Sequence, residues 1–138
     1  MIAYLDASVI LRVVLGQPNA LPHLPKVELG VASALAEVEC LRTLDRLRLR
    51  GGASDHQLAQ TREAVYRLTR EMEVVEPTMP ILRTAAQPLP TSLGTLDAIH
   101  LATALRWIET RGKPLVMATH DAALALAARA SGLAVIGV

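Results

Sequence analysis

Five short, largely apolar runs punctuate the chain: Ile2–Leu5, Leu29–Ala32, Glu73–Glu76, Leu115–Ala118 and Ala134–Val138. None alternates cleanly between apolar and polar residues, so each reads as a strand buried on both faces. Between them lie helical patterns with clear ends. Ser8–Leu15 is a helix capped by Asp6 or Ser8, and Gly16–Lys26, with Pro18, Pro22 and Pro25, is a loop or broken helix. Ser33 caps a helix running to about Arg50 and stopped by Gly51-Gly52. Ser54-Asp55-His56-Gln57 has capping-box form and opens a helix to about Met72, so the two make a hairpin. Thr78 caps a short helix through about Gln87, and Pro88, Pro90 and Ser92 mark a loop. Thr95 then caps a central helix, and Asp121–Ala130 is a last helix closed by Ser131-Gly132. Strands alternating with helices predict an α/β fold, a mostly parallel sheet of about five strands with helices on both faces. At 138 residues this is one domain, 1–138, with room for a proper core.

The central helix carries apolar residues at Leu96, Ile99, Leu101, Ala104, Leu105 and Ile108, so it enters the core with Asp97 in its first turn. A carboxylate there complements the helix dipole or, half-buried, binds a metal. In parallel sheets, sites form beyond the carboxyl ends of the strands. Asp6 follows the first strand directly, and Asp121 follows the fourth after Thr119-His120. Glu39 lies about two turns into the helix after the second strand. Four of the thirteen acids thus fall where they can converge. Carboxylates without basic partners raise one another's pKa unless a cation neutralises them. Oxygen ligands without a Cys or His cluster suit magnesium or manganese rather than zinc. Such an ion activates water and stabilises a phosphate leaving group, which points to metal-assisted phosphodiester hydrolysis.

Composition narrows the alternatives. Net charge is +1, so the overall balance does not announce nucleic acid, and Arg42, Arg46, Arg48 and Arg50 form a local basic cluster or a solvated helix face. Aromatics are nearly absent (Tyr4, Tyr66, Trp107), which argues against a base-stacking platform. The single Cys40 cannot form an internal disulfide and reads as a small helix-face residue. No stretch predicts a membrane span or signal peptide, and the chain reads as cytoplasmic. The 51% hydrophobic content predicts apolar surface covered by a partner or a second copy.

The motifs resemble those of PIN-domain nucleases, and their size and style are similar to VapC-type toxins of bacterial toxin–antitoxin pairs. Tyr4-Leu5-Asp6-Ala7-Ser8 resembles the family's opening strand and acid. The segment Ser33 to Arg42 resembles its Ser-to-Glu helix, with Ala36 where many relatives carry Thr. Leu96-Asp97-Ala98-Ile99-His100-Leu101-Ala102 resembles its most specific signature, and Ala118-Thr119-His120-Asp121 with the later Gly132-Leu133 resembles its close. The resemblance spans essentially the whole chain. It implies a PIN-like three-layer α/β/α sandwich and an endoribonuclease toxin leaving a 3′-hydroxyl and a 5′-phosphate. It implies an RNA substrate, a homodimer and a cognate VapB-type antitoxin. The implied site acids are Asp6, Glu39, Asp97 and Asp121, with Asp6, Asp97 and Asp121 holding one or two Mg²⁺ or Mn²⁺ ions. Ser8 and Thr119 match the polar positions beside the first and last acids, holding a carboxylate or a ligand water, and Arg42 would pair with Glu39 or a phosphate.

Periodicity alone does not choose between Glu37 and Glu39, which flank opposite sides of the Leu35, Val38, Leu41 stripe; the choice of Glu39 comes from the resemblance. His100, one turn beyond Asp97, is a general acid or, as the better expectation, orients a neighbour or packs in the core. His120 sits between two site residues, with its ring expected to face away, and His23 and His56 are expected at the surface. The helical hairpin from Ser33 to Met72 is the expected antitoxin surface. A receiver-like signalling module would need paired acids after the first strand and a Lys after the last, and both are missing. An Asp-x-Asp phosphatase is excluded by Ser8. The remaining alternative is a catalytically silent PIN-like scaffold that binds RNA or protein.

Overall fold

The computed structural model describes residues 1–138. Strands β1 (Ile2–Leu5), β2 (Leu29–Ser33), β3 (Glu73–Val75), β4 (Val116–Ala118) and β5 (Ala134–Ile136) form one sheet. Its order is β3-β2-β1-β4-β5, and every pairing is parallel. The helices are α1 (Ala7–Val14), α2 (Ala34–Leu49), α3 (Asp55–Arg70), α4 (Met79–Ala85), α5 (Thr95–Arg111) and α6 (Ala122–Ala130). A short 3-10 turn, Leu24–Lys26, lies in the Pro-rich loop.

Alternate strand residues feed two cores, which is why the strands read as continuously apolar. Ala3, Leu5, Ala32 and Ala118 face α1, α2 and α3 with Val9, Ile10, Cys40, Leu44 and Val65. Tyr4, Val31 and Met117 face α5 and α6 with Leu101, Trp107, Leu124 and Ala128. The result is the expected three-layer α/β/α sandwich.

Most predicted ends hold. Ser33 accepts from the Leu35 N–H, and the Ser54–Gln57 capping box is complete. One cap is corrected. Gly94, not Thr95, caps α5, and no side chain bonds the exposed N–H groups there, because Thr95 has already entered the helix. Asp6 rather than Ser8 caps α1, accepting from the Val9 N–H. The last strand stops at Ile136 because Gly137 has φ +102° and packs against Thr119, whose carbonyl oxygen would lie 2.4 Å from an added Cβ. Only glycine fits both conditions.

The strand order reverses direction between β1 and β4, since β2 and β3 continue on one side and β5 on the other. That switch point opens a crevice at the carboxyl ends of the strands.

Candidate active site

Asp6 and Asp121 flank this crevice from the ends of β1 and β4, while Glu39 comes from α2 and Asp97 from the first turn of α5. Asp6 is 4% exposed and held on several sides. Its Oδ1 accepts from the Ser8 hydroxyl at 2.6 Å and the Val9 N–H at 3.1 Å. Its Oδ2 accepts from the Thr119 hydroxyl at 2.6 Å. Thr119 Oγ1 in turn accepts from the Asp121 N–H at 3.0 Å, and Ser8 Oγ from the His120 N–H at 2.9 Å. Two hydroxyls thus sew the ends of β1 and β4 together around one carboxylate. Hydrogen bonds to an ionised oxygen are among the stronger ones.

Asp121 caps α6, its Oδ1 accepting from the Leu124 N–H at 2.9 Å. Capping uses one carboxylate oxygen and leaves the other for a ligand, so a cap and a site role coexist. Asp97 accepts no hydrogen bond from any side chain or backbone group of the chain. Burial, then the Asp121 charge, hold its carboxyl above the usual range. Asp6 and Glu39 push the same way, and His100 counteracts whenever its ring is charged. The four acids therefore share one electrostatic neighbourhood.

The two acids on α2 separate cleanly. Glu37 turns toward α3 and accepts from the Thr69 hydroxyl at 3.0 Å. Glu39 turns toward α5, where its Oε1 lies 2.5 Å from His100 Nε2. His100 is buried, and its Nδ1 lies 2.7 Å from the Tyr4 hydroxyl. The histidine orients neighbours, as the better of its two expectations held. His120 faces away, its Nδ1 2.7 Å from the Gly137 carbonyl.

Arg42 is a correction. Its guanidinium is exposed and donates to Asp45 at 3.3 Å instead of reaching Glu39. Asp45 sits one turn ahead on the same helix face and also takes Arg48, whose hydrogen bond lowers the Asp45 pKa most. Glu39 is already engaged by His100 on the inner side. Tyr4 is the residue that sequence reasoning missed. The available signal was a phenol in a strand of small apolar residues, because a buried hydroxyl needs a partner.

Whether these residues suit a divalent cation turns on their chemistry. The donors are all carboxylate oxygens, each acid retains an uncommitted lone pair, and no Arg or Lys neutralises them. That set fits a hard cation. As they stand, no three His, Cys, Asp or Glu side chains form a closed metal cage. The fit therefore lies in the donor chemistry, with Asp97 and Asp121 carrying the adjustable side chains.

A family model described as PIN domain matches residues 3–130. Ribonuclease VapC46 of Mycobacterium tuberculosis is 34% identical over 136 residues, covering 96% of this chain and 95% of its own. A chain of a toxin–antitoxin complex from Klebsiella pneumoniae shares the fold with a TM-score of 0.61 at 21% identity, covering 86% of each chain. PAE2754 from Pyrobaculum aerophilum does so with a TM-score of 0.62 at 21% identity, over 97% of this chain and 83% of its own.

Proposed function

The chain belongs to the PIN domain family, and from that premise we propose that it is an endoribonuclease toxin hydrolysing RNA phosphodiester bonds with a bound Mg²⁺ or Mn²⁺. The observation that carries the reading is the gathering of Asp6, Glu39, Asp97 and Asp121 around the switch point in one electrostatic neighbourhood, where burial and then the Asp121 charge push the Asp97 carboxyl above its usual range. The 34% identity to a ribonuclease along nearly the whole chain supports it.

Asp6, Asp97 and Asp121 are the residues that would hold the cation. When bound, it supplies charge neutralisation at the phosphate and a water of lowered pKa. Asp6 is fixed in place beforehand by Thr119, Ser8 and the α1 N-terminus. Preorganised oxygen donors need no rearrangement at the moment of reaction. Glu39, held by His100, is the acid we assign to orienting an attacking water. Arg42 pairs with Asp45 on its own exposed helix face rather than with Glu39.

The toxin reading draws on the toxin–antitoxin complex that shares the fold, and it brings a cognate VapB-type antitoxin as partner. The α2–α3 hairpin, where Val38 and Leu49 are exposed, is the surface we assign to it. A second copy of the chain is the other partner. Leu82 and Leu96 are exposed, and a groove of about 650 Å³ opens beside them between α4 and α5. No helix is long and apolar enough to cross a membrane.

The test is cleavage of total bacterial RNA by purified, antitoxin-free protein with Mg²⁺ or Mn²⁺ against EDTA, with Asp97→Asn alongside. Discrete fragments requiring both the metal and Asp97 are expected. A fully active Asp97→Asn protein would overturn the site. No cleavage, together with no metal uptake in a calorimetric titration, would favour the silent scaffold.

A further inference from the structure

This chain has little to stack bases on, since Tyr4 and Trp107 are 0% and 4% exposed. An RNA strand at the crevice must therefore be held mainly through its phosphates, and arginine suits phosphate through its planar fork. The arginines are unevenly placed. Net charge over the whole chain is +1, yet residues 42–50 carry four Arg against the single Asp45.

Three of the four run on from the site. Arg42, Arg46 and Arg50 stand three, seven and eleven residues after Glu39, a spacing that keeps side chains on one face of a helix. Helix α2 ends at Leu49, and its cap residue Arg50 still has right-handed helical backbone. At 1.5 Å of rise per residue the three follow one another about 6 Å apart, and Arg50 lies about 16 Å along the axis from Glu39. All three are exposed. Arg42 is occupied by Asp45. Arg48 turns to α3, where it lines a small cleft with Leu58 and Arg62 and pairs with the same Asp45. Arg46 and Arg50 are different. Arg46 donates to the Thr43 hydroxyl at 3.1 Å, Arg50 makes no side-chain hydrogen bond, and neither has an acid partner. Two guanidinium groups thus stand free on the stripe that begins at Glu39.

We propose that Arg46 and Arg50 bind backbone phosphates of the RNA strand on one side of the scissile bond, a few nucleotides from the site. This deepens the nuclease reading above and rests on it. Contacts to phosphate add affinity and register without base preference. A purely structural role would instead have the two cations complement the carbonyl end of α2.

The test measures binding of a fluorescein-labelled single-stranded oligouridylate, long enough to span α2, by anisotropy in EDTA across a series of salt concentrations. Each phosphate neutralised on a single strand contributes about 0.7 to the slope of log affinity against log salt. Arg46→Gln and Arg50→Gln should each lower the slope by about 0.7 and the double variant by about 1.4, whereas Arg46→Lys, which keeps the charge, retains it. Arg129→Gln, an equal loss of charge at the far end of α6, should leave it unchanged. In Mg²⁺ the double variant should cleave total bacterial RNA slowly at low RNA and at the wild-type rate at saturation. A double variant with the wild-type slope overturns the proposal, whether it melts earlier, as a helix-end role requires, or loses an acidic protein partner instead. An Arg129→Gln slope that falls as far as that of Arg46→Gln also overturns it. Because binding is read without metal, the two readings fail separately. A wild type that cleaves while its double variant keeps the full slope sinks the stripe alone, and a wild type that binds with the expected slopes but never cleaves sinks the nuclease reading alone.

Discussion

Replacing Thr119 by valine removes one hydroxyl while keeping shape and charge. The residue is fully buried, and its hydroxyl donates to Asp6 at 2.6 Å while accepting from the Asp121 N–H at 3.0 Å. A hydrogen bond to a charged group contributes roughly 1.5–3 kcal/mol, and an orphaned partly buried N–H adds about 1 kcal/mol. The valine methyl recovers about 0.8 kcal/mol by apolar burial. The expected net loss is about 2–3 kcal/mol. For 138 residues at about 2.1 cal/mol/K each, the unfolding entropy is about 0.29 kcal/mol/K, so the melting temperature should fall by about 7–10 °C. Thermal unfolding followed by circular dichroism in EDTA checks this, with Thr119→Ser as the control that keeps the hydroxyl. A Thr119→Val shift under about 2 °C, or a serine variant as unstable as the valine one, would refute the claim that this hydroxyl ties β4 to an ionised Asp6.

Asp97→Asn should make the metal-free protein more stable at neutral pH while abolishing cleavage. Its folded pKa is raised, first by burial and then by Asp121, so its stabilising contribution is present below the unfolded pKa and lost as pH rises through the folded one. The advantage of the variant over the wild type should therefore vanish on acidification into the carboxylate range, and saturating Mg²⁺ should stabilise the wild type alone. Chemical denaturation at several pH values, with and without the ion, measures both effects. Cys40 should resist thiol reagents in the native protein. It is fully buried, and desolvation, then the Glu39 charge, push its thiol up to about 12, leaving about one thiolate in ten thousand at pH 8. Reaction with a disulfide reagent should follow the unfolding curve, and rapid native labelling would contradict the burial.

Local chemistry was legible because it needs only neighbours in sequence. The Ser33 cap, the Ser54–Gln57 box and the Gly51-Gly52 break all act within a few residues. The acids after β1 and β4 were legible because a parallel sheet directs chemistry to its carboxyl edge. Strand order was not, since pairing β1 with β4 joins residues more than a hundred positions apart. The same reason hid the Tyr4–His100–Glu39 contacts, whose members come from β1, α5 and α2. Arg42 misled because a helix offers partners both one turn ahead and one turn behind. Asp45 offered an accessible carboxylate with an oxygen to spare beside Arg48, whereas Glu39 was already held from inside.

The site acids differ in how they are held, and the difference bears on how a cation would bind. Asp6 is clamped by two hydroxyls and a backbone N–H, and Glu39 is held through His100. Asp121 is half committed to its helix cap, and Asp97 has no hydrogen-bond partner within the chain. Two acids thus form a fixed frame, and two keep side-chain freedom. A site made only of fixed acids would carry their full repulsion at ligating distance before any ion arrived. Asp97, without a hydrogen-bond partner, would have the most freedom to adjust toward a bound cation. Stability and activity therefore separate across the site. Loss of Asp6 unpicks hydrogen bonds that tie β1 to β4, whereas loss of Asp97 relieves repulsion and leaves the frame standing.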